Sequence, residues 1–298
     1  MPTNPRSDLL PVLALLVSAT FWGVVWWPLR WLEQQGVPGL WATFVLFGAA
    51  CVLGLPWLWR QREHLARRAG LLLALALASG WCNTAFILAI VDGQVVRVLL
   101  LFYLSPVWAV LLARLLLHEH LPAGAWVTLV LALGGALVVL WDPQLGMPWP
   151  QGRADVLALS SGIGFGLANV LIRKADGVSI TLKTVVPWVG VSLLAGGLAL
   201  AGIGGPAQWQ GAALPVALLL GVFGVALASI CLVYGVTRLP VHRSSVILLL
   251  EVVVGAVSAQ WLAGEMLGAR EWLGGAFILA GAWIAGRQGM GRKAGAAS

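Results

Sequence analysis

One carboxylate in this chain stands where ordinary surface chemistry does not reach. Of the eleven acidic residues, ten fall in loops or near the ends of apolar segments, whereas Glu251 lies deep inside the segment 241–263. A charged side chain at that depth costs about 2.5–3.5 kcal/mol on insertion scales, so it is expected to face protein or water rather than lipid. Ser244, Glu251 and Ser258 recur every seven residues with Gly255 beside them, which gathers small and polar groups on one stripe of an otherwise Val/Leu helix. Such a stripe suits the wall of a cavity. Three roles fit Glu251: it binds a solute amine, it carries a proton, or it caps backbone where helices cross.

A second polar station is expected in the segment 94–117. Pro106 follows Ser105 there, removing a backbone donor and freeing a carbonyl one turn earlier. Freed backbone groups at membrane depth are tolerated only where something satisfies them, as in a discontinuous helix lining a site; a plain packing kink fits as well. Tyr103 lies one turn before the proline, Trp108 follows on another face, and the only other tyrosine, Tyr234, is also deep in an apolar run. Two phenols at that depth offer hydroxyls and ring faces to an organic solute, or serve as buried residues needing one backbone partner each. Asn83, Asn169, Ser229 and Trp22 complete the polar or amphipathic groups within the spans. An asparagine in hydrocarbon needs partners from a neighbouring helix or a solute. Gly162 and Gly166 form a small-xxx-small pair that reads as close helix packing.

Enzymatic motifs do not emerge. His118-Glu119-His120 is too compressed for one helical face and lacks a third ligand, so it reads as a solvated loop rather than a metal site. No phosphate loop, nucleophile elbow or carboxylate pair occurs at membrane depth, and no cofactor or metal is expected. Cys51, Cys82 and Cys231 all fall in apolar stretches, where an odd number of cysteines argues for small hydrophobes rather than a disulfide framework.

The elements that carry these residues follow from composition. Sixty per cent of the 298 residues are hydrophobic and only 10% are charged, against roughly 25% charged in an average soluble domain. That excludes a soluble enzyme, a disordered chain and a disulfide scaffold, and leaves a polytopic membrane protein. With about 20 apolar residues per crossing, the sequence predicts an all-α chain of ten spans: 9–31, 38–59, 69–91, 94–117, 123–141, 154–174, 181–201, 212–237, 241–263 and 270–287. If the N-terminus is cytoplasmic, fourteen of the eighteen Lys and Arg fall on the cytoplasmic side, leaving Arg30, Arg97, Arg153 and Arg270 opposite. The positive-inside bias thus puts both termini in the cytoplasm. The charge of +7 belongs to these short loops and marks orientation, not a nucleic-acid partner. Arg97 runs against the bias and is a candidate outer gate. Most of the 17 tryptophans sit near span ends, as interfacial belts do.

Sliding the chain by 146 positions lays 97–140 on 243–286 without gaps, with twelve of 44 residues identical, where roughly five would arise by chance in such text. The rarer matches are Arg97 with Arg243, Glu119 with Glu265, and Trp126 with Trp272. Five spans per copy is an odd number, so the second copy, 146–298, enters the membrane upside down relative to the first, 1–145. Inverted repeats of this kind recur in secondary transporters.

The carriers of the repeat, LSPVWAVLLARLLLHEHLPAGAWVTLVLALGGALVVL and LLEVVVGAVSAQWLAGEMLGAREWLGGAFILAGAWIAG, together with FWGVVWWPLR at the end of the first span, resemble the EamA-type family of the drug/metabolite transporter superfamily. The resemblance implies ten helices in two inverted five-helix halves around a central cavity lined mainly by spans 1, 3, 4, 6, 8 and 9. It implies an alternating-access carrier in a bacterial inner membrane that moves small organic metabolites, with export of amino acids or related compounds the leading expectation. On that reading Glu251, Tyr103, Tyr234, Asn83, Asn169, Trp22, Ser105, Ser229 and Ser244 line the solute path, and Pro106, Arg97 and Gly255 serve gating. Uniport and proton-coupled exchange both stay open. One departure is Val252 after Glu251, where the family commonly has proline. The rival readings are a membrane-embedded lipid-processing enzyme and a non-transporting scaffold or sensor.

Overall fold

The structure, a computed structural model, describes residues 9–117, 123–142, 147–175, 177–238, 247–248 and 250–288. Ser244, Arg243, Glu119, His118, His120 and His242 lie outside the described residues.

The first apolar run forms α1 (Leu9–Val24) and α2 (Trp26–Gln34), hinged at Val25 because Pro28 has no N–H to offer the Val24 carbonyl. Helical bonding nevertheless carries across the hinge, from Val25 N to Phe21 O and from Leu29 N to Val25 O. Then come α3 (Gly39–Arg60), a short α4 (Arg62–Arg67) and α5 (Ala69–Asp92). The segment carrying Pro106 is broken as its sequence predicts, into α6 (Val95–Phe102) and α7 (Ser105–Leu117). α8 (Ala123–Leu140) ends in a two-residue bridge, Trp141–Asp142 antiparallel to Met147–Pro148. The second half contains α9 (Arg153–Lys174), α10 (Ile180–Leu200) and α11 (Ala213–Leu219). A π-helical turn, Leu220–Val225, leads into α12 (Ala226–Arg238), followed by α13 (Leu250–Ala263) and α14 (Ala269–Gln288).

Seven of these runs are long and apolar enough to cross a bilayer: Leu9–Gln34, Gly39–Arg60, Ala69–Asp92, Val95–Leu116, Arg153–Ile172, Ile180–Leu200 and Ala213–Gly235. The other three expected spans coincide with helices of 18, 20 and 14 residues, α8, α14 and α13. The upstream flank of α13 falls outside the described residues.

Helix neighbours come in matched sets when the two halves are exchanged. α5 packs on α9 as α12 packs on α1; α6 and α7 pack on α9 as α13 packs on α1; α5 packs on α10 as the π turn and α11 pack on α3. The pairs α8–α14 and α3–α10 map onto themselves. The match extends to backbone crossings. At Gly190 of α10 the Ala76 carbonyl leaves no room for even a methyl group, and at Gly221 of the π turn the Leu46 carbonyl does the same. Shifted by 146, the first crossing falls within two residues of the second. Glycine is required at both because helices approach this closely only where a side chain is missing.

Candidate functional site

The break between α6 and α7 positions Tyr103. Its N–H still bonds Leu99 O at 2.9 Å, but Pro106 has none to give Phe102 O. That carbonyl meets α9 at Gly162, where a Cβ would stand 3.1 Å from it, and one turn on a Cβ at Gly166 would stand 2.8 Å from Ala109 N. The small pair Gly162/Gly166 is thus the seat in which the broken helix rests. The Phe102 ring lies 4.9 Å from Phe86 and 5.3 Å from Phe165, and 5.9 Å from Tyr103, building an aromatic cluster from α5, α6 and α9.

Tyr103 reaches across the repeat. Its hydroxyl stands 2.9 Å from Leu248 O and 3.1 Å from Glu251 Oε2. Glu251 occupies the first turn of α13, half-buried. The stripe it belongs to is packed against other helices. Gly255 receives Leu99 of α6, and a Cβ at Gly23 of α1 would stand 2.8 Å from Glu251 O. Ser258 accepts from Trp26 Nε1 at 2.9 Å. Here the structure differs from a stripe facing open space: small residues let α1 and α6 close on α13, because a seam without side chains is where helices pack most tightly.

The remaining expected site residues are placed separately. Asn83 and Asn169 each donate back to the carbonyl four residues earlier, Ser79 O and Phe165 O, both at 3.0 Å. Ser229 donates to Val225 O at 2.7 Å and accepts from Trp188 Nε1 at 3.2 Å, joining α12 to α10. Tyr234 carries the Arg238 guanidinium over its ring at 5.1 Å. Trp22 stacks edge-on with Phe21 at 5.3 Å. Ser105 is buried at the start of α7. The buried Trp108 indole N–H has no acceptor among the described residues.

Arg97 is not an isolated cation. Its Nε and Nη2 donate to the two oxygens of Asp155, each at 2.8 Å, with side chains 10% and 6% exposed. This is the bidentate geometry in which guanidinium and carboxylate bind most strongly. Asp155 sits in the first turn of α9, where the helix dipole favours an anion, and its Oδ2 also accepts Gln151 N at 2.9 Å. A second ion pair lies at the same end of the bundle. Arg30 Nη1 meets Glu265 Oε1 at 3.0 Å, and Arg30 also donates to Gly93 O. Its guanidinium covers the Trp26 ring at 5.1 Å, while Glu265 Oε2 accepts Val95 N at 2.9 Å. Between them these bonds tie together the ends of α2, α5, α6, α9 and α13.

Sequence reasoning singled out Arg97 but not its partner Asp155, nor Arg30 and Glu265. A signal was present: Arg30 and Arg97 are two of only four cations on the sparsely charged side, and both acids fall at segment ends on that side. Two open grooves lie elsewhere, one where α3 meets α4 and one among Leu137, Val138, Trp141 and Arg270. Neither is lined by Glu251 or Tyr103. Among the described residues no cluster of three or more His, Cys, Asp or Glu is placed to hold a metal.

Apolar helices of bilayer length, with the buried Arg97 and Asp155 paired to one another among the described residues, define a polytopic helical membrane protein. The profile of the EamA-like transporter family matches residues 9–141 and again residues 152–287, and the chain belongs to that family, whose domain it carries twice. It is similar to an uncharacterized transporter of Pseudomonas aeruginosa, 29% identical over 187 residues that make up 58% of this chain and 58% of that relative. The chain therefore spans somewhat over half the length of that protein. A riboflavin transporter of Rhizobium johnstonii is 28% identical over 230 residues, 74% of this chain and 73% of the relative. A solved protein crystal structure shares the fold, with a TM-score of 0.59 at 18% identity over 92% of this chain and 96% of that one.

Proposed function

We propose that this protein is an alternating-access carrier in a bacterial inner membrane, moving a small organic solute, with export of amino acids or related metabolites the leading reading. The observation that carries it is the bond between Tyr103 and Glu251. The two residues come from opposite copies of the repeat and are 148 positions apart, within two of the 146-residue offset. Each therefore touches a near-neighbour of its own mate, which happens only close to an axis relating the copies. A ten-span bundle with the copies inverted would hold such an axis in the membrane plane, where carriers of this plan keep their solute site.

Hydrogen counting supports a polar exchange at this point. The Tyr103 hydroxyl owns one hydrogen and faces two acceptors, Leu248 O and Glu251 Oε2. Both contacts become full hydrogen bonds only if Glu251 carries a proton and donates to the phenol oxygen. A solute ammonium and a proton thus compete for one carboxylate, the arrangement that proton-coupled exchange needs. Trp108 adds a buried donor with no described acceptor, and the aromatic cluster around Phe102 suits an apolar side chain. The ion pairs Arg97–Asp155 and Arg30–Glu265 tie helix ends together at one end of the bundle, which the charge bias assigns to the periplasm, and this supports a gate at that side.

The test is flux into proteoliposomes with amino acids, nucleosides, sugars, polyamines and riboflavin. Amino acids are expected to move in the parent protein, with at least a tenfold loss in Glu251→Gln. No flux for any solute would overturn the carrier reading and favour the scaffold or the lipid-processing enzyme; equal flux in Glu251→Gln would remove the carboxylate from the mechanism.

A further inference from the structure

The helix corner between α3 and α4 forms a groove of about 870 Å³ lined by Val52, Leu55, Pro56, Leu58, Trp59, Arg60, Arg62 and Leu65. Its composition changes along its length. The walls are aliphatic, with Val52 and Leu55 both more than half exposed, and Trp59 is 72% exposed. Arg60 and Arg62 line the groove as well, and the Arg62 guanidinium stacks over the Trp59 ring at 5.1 Å. Apolar walls with two arginines among their lining are complementary to one class of molecule, an amphiphile with a hydrocarbon tail and an anionic head.

The corner is also fixed in place. Gln61 N bonds back to Trp57 O and Leu58 O at 3.1 and 3.2 Å. The Gln61 side chain accepts a hydrogen bond from Ser179 Oγ at 2.5 Å, and Ser179 itself caps α10 by accepting Leu182 N at 3.2 Å. A site held by its own hydrogen bonds loses little freedom when it is filled. The stacked Arg62 is likewise oriented before any ligand arrives, and guanidinium is the side chain that matches phosphate oxygens in bidentate fashion. Arg67 and Arg68 extend the positive charge beyond the groove without lining it.

We infer that this corner binds one anionic phospholipid, its phosphate held by Arg60 and Arg62 and an acyl chain lying along Val52, Leu55 and Leu58. The charge bias puts the corner at the cytoplasmic face, where anionic headgroups attract basic groups near the surface. The inference does not rest on the transport reading, because the groove lies apart from Tyr103 and Glu251.

The experiment uses the full chain purified in detergent, with dioleoyl phosphatidylglycerol as the probe, dioleoyl phosphatidylcholine as the zwitterionic control and sn-glycerol phosphate as the headgroup without chains. Binding is read by native mass spectrometry and by the shift in thermal unfolding, since a ligand of the folded state raises its midpoint. The anionic lipid is expected to remain bound and to raise the midpoint, while the control lipid and sn-glycerol phosphate do neither. Arg60→Gln with Arg62→Gln is expected to weaken binding by roughly ten- to thirtyfold, two phosphate contacts at the membrane surface being lost. Arg67→Gln with Arg68→Gln is expected to change binding by less than about threefold, these arginines standing outside the groove. Leu55→Trp, which fills the wall and leaves both arginines intact, is expected to lower binding as well, and it serves as the test if the double variant fails to fold. Equal retention of phosphatidylcholine, a midpoint shift from sn-glycerol phosphate alone, or parental affinity in the Leu55→Trp protein would each overturn the inference.

Discussion

On the carrier reading, removing Arg97 should open the end of the bundle where its ion pair joins α6 to α9. In Arg97→Gln the Asp155 carboxylate keeps its place at the start of α9 and its bond from Gln151 N, but loses both guanidinium contacts. Its side chain is only 6% exposed, so water screens it poorly. Breaking a buried pair by deleting one partner costs about 3–5 kcal/mol, mostly the stranded charge. That cost falls on the closed conformation alone; once α6 and α9 separate, the carboxylate is hydrated. The equilibrium should therefore move toward opening by roughly two to three and a half decades, at about 1.4 kcal/mol per decade. The assay places a single reporter thiol at Val98, which is 1% exposed and adjacent to Arg97 on α6, in a protein whose free cysteines Cys51, Cys82 and Cys231 are changed to alanine. A membrane-impermeant maleimide should label Val98→Cys at least tenfold faster once Arg97→Gln is added. Asp155→Asn, which strands the cation instead, should act in the same direction. An unchanged labelling rate in both variants would refute the idea that this pair holds the end shut.

Two further outcomes follow from the same structure. Tyr103→Phe removes the hydroxyl facing Leu248 O and Glu251 while keeping the ring beside Phe102, so flux in proteoliposomes should fall at least tenfold with little change in thermal unfolding. Gly190→Ala forces a methyl into the Ala76 carbonyl at the α5–α10 crossing; overpacking of this kind costs about 1–3 kcal/mol, and the unfolding midpoint in detergent should drop by several degrees.

The seven runs of bilayer length were legible because segmentation is a local property: apolar runs end at proline, glycine and charge, and Pro106 breaks its helix where the missing N–H requires. The repeat was legible because Arg97, Glu119 and Trp126 recur against a Leu/Ala background. Partnerships were less so. Arg97 and Asp155 are 58 positions apart, and Arg30 and Glu265 are 235 apart; their pairing depends on which helix ends share a face, and periodicity carries no such information. Gly255 shows the same limit in reverse. A small residue beside a polar stripe reads equally well as a cavity wall or a packing seam, and the choice is made by Leu99 on another helix. Asn83 and Asn169 turned back on their own helices for a related reason: a side-chain amide finds its fourth-preceding carbonyl whatever the surroundings.

The prolines have one more consequence. The glycine crossings obey the 146-residue relation closely, yet no proline within the described helices does: Pro11, Pro28, Pro56, Pro106, Pro187 and Pro215 correspond to Leu157, Lys174, Gly202, Val252, Trp41 and Ala69. The halves share a scaffold but not a set of joints. In the proposed carrier, bending from one facing state to the other need not pass through the mirror image of the return stroke, so the two directions have separate barriers. Thermodynamics fixes only the ratio of the forward and reverse constants. Half-saturation and maximal velocity measured from opposite sides of a vesicle should then differ, an inequality traced to six prolines that duplication did not keep in step.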